Sequence, residues 1–117
     1  EFFNGFEDSM PLFDALSALA CRDACVSMRV GKSQVAFWDR KPFLWAWIPG
    51  RYLKNRPTAP LVMTVVFRQW DPSPRWKEIM EARNGWFTHH LELYDISDID
   101  DEVANWIARA YAARCTP

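Results

Sequence analysis

Apolar positions follow a helical period at both ends of the chain and a period of two between them. From Ser9 to Ala20 the apolar residues Leu12, Phe13, Leu16, Leu19 and Ala20 fall at helical spacing. Ser9 suits an N-cap and Pro11 suits the first turn, where a missing amide donor costs little. Phe2, Phe3 and Phe6 ahead of this helix are expected to pack back on the core. From Val26 the period becomes two. Val26, Met28 and Val30 alternate with polar neighbours, and after Gly31-Lys32 the alternation resumes around Val35 and Phe37, which predicts two strands joined by a tight turn. Phe43–Ile48 predicts a third strand, with Phe43, Trp45 and Trp47 on one face and Leu44, Ala46 and Ile48 on the other; Pro49-Gly50 ends it. Leu61–Arg68 is β-branched and apolar on both faces, as in a central strand. Asn84-Gly85 predicts a hairpin between a strand near Trp76–Arg83 and one over Trp86–Tyr94, although Trp76–Arg83 could also form a short helix behind Ser73-Pro74. The second of these strands sets Phe87, His89, Leu91 and Leu93 on one face and Thr88, His90, Glu92 and Tyr94 on the other.

The last element is a helix. Ser97 or Asp98 is expected to cap it, acids crowd its first turn, and Ile99, Val103, Trp106, Ile107, Ala110 and Tyr111 form one apolar stripe. The predicted fold is therefore α+β: a mainly antiparallel sheet of about five or six strands, with N- and C-terminal helices packed on one face. At 117 residues, with no linker or repeat, residues 1–117 form a single domain large enough for its own core.

Composition narrows the setting. Half the residues are hydrophobic and a quarter charged, which excludes a disordered chain. No apolar run approaches the ~18 residues of a membrane helix, and the acidic N-terminal stretch lacks the features of a secretory signal. Three cysteines, with Cys21 and Cys25 four apart and Cys115 in the tail, match neither a disulfide framework nor a metal site, and they favour a reducing cytoplasm. The net charge of −1 hides a pattern. Residues 29–83 carry +7 and the segments on either side carry −4 each. Such a basic centre can mark an anion-binding face; it can also mark pairing with the acidic ends.

Candidate chemistry lies mostly in that centre. Trp38, Trp45, Trp47, Trp70, Trp76 and Trp86 are interleaved with Arg40, Lys41, Arg51, Tyr52, Arg68 and Arg75. Indoles stack on bases and cations neutralise phosphates, so the mixture suits a single strand or a nucleotide. Large rings also fill the core of a small domain with arginine stems over them. Trp45 and Trp47 are expected in the core or a pocket wall, whereas Trp70, Trp76 and Trp86, near turns, are expected to show an edge. Lys32, Ser33 and Gln34 follow Gly31 in a turn that could hold a phosphate or carboxylate. His89 and His90 point to opposite faces and cannot readily share one ion. His89 reads as a hydrogen-bonded core histidine or as a donor lining a pocket; His90, beside Glu92, reads as an acid/base partner or an exposed pair. The acids Asp98, Asp100, Asp101 and Glu102 fit a helix start, with no calcium-loop spacing.

Several segments together resemble a bacterial family of small uncharacterised proteins, a domain of unknown function. They are Leu12-Phe13-Asp14-Ala15-Leu16, Gly31-Lys32-Ser33-Gln34-Val35-Ala36-Phe37, Arg75-Trp76-Lys77-Glu78-Ile79, Phe87-Thr88-His89-His90-Leu91, and Asp98-Ile99-Asp100-Asp101-Glu102-Val103 running on to Trp106 and Ala110-Tyr111. The resemblance spans nearly the whole domain and implies a helix–sheet–helix arrangement. That arrangement is also similar to small double-wing proteins of DNA-binding type and to frataxin-like folds. The family implies no particular activity, and fold likeness alone does not supply one.

The expected function is a non-catalytic binding domain that receives an anionic ligand, nucleic acid or nucleotide-like, on a basic and aromatic sheet region. The expected ligand-binding residues are Lys32, Gln34, Trp45, Trp47, Arg51, Tyr52, Arg68, Trp76, His89 and His90. No catalytic residue, metal or cofactor is assigned. Two alternatives stand beside it: a protein–protein or homodimer module with exposed tryptophans, and a small enzyme using His89 or His90 with Glu92 and Lys32.

Overall fold

A computed structural model describes residues 2–3, 5–22, 25–53 and 57–115. Helix α1 (Met10–Ala20) is followed by β1 (Ser27–Val30), β2 (Val35–Asp39), β3 (Lys41–Trp47), β4 (Leu61–Phe67), β5 (Glu78–Glu81), β6 (Phe87–Leu93) and helix α2 (Asp101–Cys115). The six strands form one antiparallel sheet in the order β1-β2-β3-β4-β6-β5, so β6 is inserted between β4 and β5. This is the expected α+β architecture, with both helices on one face. No helix among the described residues is long and apolar enough to cross a membrane.

The core lies between sheet and helices. Val35, Phe37, Leu44, Ala46, Met63, Val65, Phe67, Leu91 and Leu93 come from alternate strand positions and meet Leu12, Phe13 and Leu16 of α1 and Val103, Trp106, Ile107 and Ala110 of α2. Phe13 stacks on Phe37 with ring centroids 6.1 Å apart. Phe2, Phe3 and Phe6 pack against this core as expected. The hairpin between β5 and β6 also forms, turned by Arg83-Asn84-Gly85. Asn84 (φ 62°) and Gly85 (φ 76°) both adopt the left-handed backbone such a turn needs.

Five local expectations are corrected. Phe43 does not share a face with Trp45. The β2–β3 register runs Phe37↔Leu44 and then Trp38↔Pro42, which leaves Phe43 as the extra residue of a bulge and turns it inward, edge-on to Tyr111 at 5.2 Å. Trp76 shows no edge: it is buried against Trp106, with ring centroids 4.2 Å apart. Ser9 precedes α1 without capping it; its hydroxyl donates to the Pro60 carbonyl at 2.6 Å, tying the helix start to β4. At α2 the capping is divided. Asp95 and Asp98 form a reciprocal box on the turn Ile96–Asp98, and Asp100 Oδ1 accepts the Val103 N–H at 3.1 Å. Cys115 is buried at the end of α2, its thiol donating to the Lys41 carbonyl at 3.3 Å, and is no loose tail residue.

Candidate functional site

Since α1 and α2 lie on one side, the other side of the sheet is left to its own side chains and to Pro49, Leu53, Pro57 and Thr58 of the β3–β4 connection. The register sets Ala36, Trp45, Thr64, His90 and Glu78 in one row across β2, β3, β4, β6 and β5. The next row holds Trp47, Val62 and Glu92. Strands lie about 4.8 Å apart, so each row is a continuous strip of side chains.

This face carries a groove in two lobes that share Trp47 and His90. One lobe, of about 480 Å³, is walled by Pro49, Leu53, Pro57, Val62, Glu78 and Glu92. The other, of about 340 Å³, is lined by Gln34, Trp45, Thr64, Val66 and Thr88. Small-molecule sites span roughly 300–1,000 Å³ and combine apolar walls with a few polar groups.

The floor of the groove is fixed by a hydrogen-bonded chain. Trp47 Nε1–H donates to Thr64 Oγ1 at 3.1 Å, and Thr64 Oγ1 lies 2.8 Å from His90 Nδ1. With the indole hydrogen already received, the threonine hydroxyl has its own proton to give to Nδ1, an arrangement that leaves the His90 proton on Nε2. The His90 ring stands edge-on to Trp47, with centroids 6.1 Å apart. Burial pushes the His90 pKa down, against the opposing pull of Glu78, so the ring is neutral near pH 7. At the rim, Lys77 Nζ pairs with Glu92 Oε2 at 3.3 Å.

His89, one residue earlier, is enclosed on the helix side. It is 0% exposed and both its nitrogens are engaged: Nε2 accepts the Asp71 N–H at 3.1 Å, and Nδ1–H donates to the Phe87 carbonyl at 2.9 Å. Those two bonds fix a neutral tautomer, and burial lowers the pKa. Asp71 beside it accepts from Trp76 Nε1 at 3.0 Å, Arg109 Nη1 at 2.8 Å and the Ser73 N–H at 3.0 Å. Burial alone would raise the Asp71 pKa; those three donors and the Arg109 charge outweigh it and hold the carboxyl at about 2.

The ten expected ligand-binding residues do not share one surface. Gln34, Trp45, Trp47 and His90 meet in the groove. Tyr52 is exposed next to Leu53 of the groove wall. Trp76 and His89 lie in the core. Lys32 stands exposed in the β1–β2 turn, which closes with Gly31 N–H on the Gln34 carbonyl at 2.8 Å. Arg51 lies over the Phe2 and Phe6 rings, 4.9 and 5.3 Å from their centroids. Arg68 donates to the Asn84 carbonyl at 2.8 Å and covers Trp86 at 4.0 Å. Arg75 is held by Asp100 at 3.0 Å and Glu102 at 2.8 Å, so part of the basic centre pairs with the acidic C-terminal segment. Thr64, Thr58 and Glu78 belong to the groove without having been singled out. The lone hydroxyl in the apolar run Leu61–Phe67 was the available signal for Thr64, and the Asn84-Gly85 hairpin was the signal for Glu78; Thr58 depends on where the β3–β4 connection packs.

No group of three or more metal-ligating side chains occurs among the described residues. Fold and site together define a two-layer α+β domain with one helix-covered and one open sheet face. Residues 1–113 match the model of a domain of unknown function, DUF5655, and the chain belongs to that family. Comparison with curated proteins and with solved structures finds no match.

Proposed function

We propose that this is a binding domain, not a catalyst, and that its open sheet face takes a small organic ligand with a flat apolar body. The observation that carries this reading is the groove across Trp45, Trp47 and His90, whose walls are apolar and whose floor is preorganised through Thr64. An indole face left half-exposed in a concave, hydrogen-bonded setting gains free energy when an apolar surface covers it. The anionic ligand expected from the basic centre has little support. Lys77 is the only cation lining the groove among the described residues, and it is paired with Glu92. A nucleic acid needs several unengaged cations facing its phosphates. The enzyme alternative loses His89 and Lys32 to other parts of the molecule, and Thr64 is nearly enclosed beneath Trp47.

The test is a fragment screen read on the indole N–H signals in a nitrogen–proton correlation spectrum. Flat aromatic fragments should shift the Trp45 and Trp47 signals and leave Trp76 and Trp106 in place. A screen in which no fragment moves Trp45 or Trp47 would refute the proposal.

A second reading rests on a different observation. Edge strand β1 is exposed at all four residues, with Met28 at 46% and Val30 at 61%. An unpaired edge of this kind can add a strand from a second copy. Sedimentation mass that stays monomeric at the highest attainable concentration would exclude self-association. With either reading we propose a cytoplasmic location, supported by the absence of any disulfide among the described residues and by exposed Cys21 and Cys25.

A further inference from the structure

Charge along the groove is not balanced. Among the described residues, two carboxylates line its larger lobe, Glu78 and Glu92, against a single ammonium, Lys77. Lys77 lies 3.3 Å from Glu92. Glu78 has no ion pair among the described residues. It stands directly opposite His90 in the β5–β6 register and is exposed on an edge strand. Burial keeps the neighbouring imidazole neutral, so no positive charge on the floor offsets this carboxylate near pH 7. The other walls, Trp47, Pro49 and Leu53, carry no charge. An anion entering the groove meets a rim whose described residues are net negative. A neutral ligand gains the apolar wall alone. A positive head on an apolar body gains both the Glu78 carboxylate and the electron-rich indole, an attraction that strengthens as water is excluded.

We propose that the ligand of this groove is an organic cation, a protonated or quaternary amine on an apolar body, with its charged head against Glu78 and its body along Trp47, Pro49 and Leu53. The inference rests on the reading of the open face as a binding site and adds the ligand's charge. Glu78 then acts as the specificity determinant, and His90 contributes a neutral wall in place of a competing cation.

Three probes that share a phenyl ring and differ in charge provide the test: benzyltrimethylammonium, benzyl alcohol and benzoate, titrated at low ionic strength and followed on the Trp45 and Trp47 indole signals. Benzyltrimethylammonium should bind at least about fivefold tighter than benzyl alcohol, with benzoate weakest. Glu78→Gln should bring the cation down to the affinity of the alcohol. Glu81→Gln, which removes the same charge two strand positions beyond Met80's neighbour Ile79 and outside the groove lining, should change neither. Equal affinity for all three probes, tighter binding of benzoate, or an unaltered cation preference in Glu78→Gln would overturn the inference while leaving the open face as a binding site. If none of the three shifts the indole signals, the binding site itself is refuted and the inference with it.

Discussion

His89 and His90 are chain neighbours in different solvents. His89 is sealed between sheet and α2, both nitrogens engaged, its ring 4.6 Å from Phe67 and 4.8 Å from Trp76. His90 stands on the opposite face, one nitrogen held by Thr64 and the ring lining an open groove. The strand's period of two does this with no other device. The same split runs through the tryptophans: Trp76 and Trp106 pack against each other in the core, and Trp45 and Trp47 are half-buried on the side away from α1 and α2. On one face polar groups serve the fold. On the other, a similar set of rings and hydrogen bonds lies beneath neither α1 nor α2 and lines the groove.

Substitutions should separate the two faces sharply. The largest effect is expected for Trp76→Ala, which leaves a cavity beside Trp106 and strips Asp71 of a donor; it should cost ~3–5 kcal/mol in urea unfolding. Trp45→Ala should cost about 1 kcal/mol or less and lose fragment binding instead. Comparable losses for the two would erase the distinction between covered and open faces.

Next come the polar groups. His89→Leu leaves the buried Asp71 N–H and the Phe87 carbonyl without their side-chain partner and should destabilise by ~2–3 kcal/mol. His90→Leu strands only the Thr64 hydroxyl, which retains Trp47, and should cost ~1 kcal/mol. Equal costs would show that His90 is as structural as His89.

Acid should reveal the same order. Both histidines have pKa values lowered by burial, so the unfolded chain takes up their protons first. Stability is complete above the ordinary histidine value of 6.5 and declines as pH falls below it. Asp71, held at about 2 from an ordinary 3.8, adds a second decline as pH falls from about 4 toward 2. That displacement corresponds to ~2 kcal/mol. Unfolding free energies measured across this range should show two steps, and Asp71→Asn should remove the lower one. The smallest effect is expected at the groove rim. Lys77→Met breaks an exposed pair with Glu92 and should change stability by less than about 1 kcal/mol.

Much of this division was legible in the residue pattern. The alternation in Phe87–Tyr94 was enough to separate His89 from His90, and the run Leu61–Phe67 announced a strand enclosed by its neighbours. Trp45 and Trp47 could be paired by parity. Phe43 could not be placed that way, because its bulge arises from the register shift between Phe37↔Leu44 and Trp38↔Pro42, which only pairing decides. The proximity of Glu78 to His90 follows from the Asn84-Gly85 hairpin, but their meeting with Thr64 and Trp47 depends on β6 pairing with β4, a choice made by tertiary packing. The charge count is uninformative for a related reason. A +7 segment records how many cations are present and nothing of their partners, and Arg75, Arg68 and Lys77 each found one inside the molecule.

The central claim is that the open face stays accessible until a ligand covers it. A soluble nitroxide tests this on the indole N–H signals. It should broaden Trp45, Trp47 and the exposed Trp70 and spare Trp76 and Trp106; a bound aromatic fragment should then restore Trp45 and Trp47 but not Trp70. Trp45 and Trp47 shielded from the outset, or no recovery when fragments are added, would contradict the account.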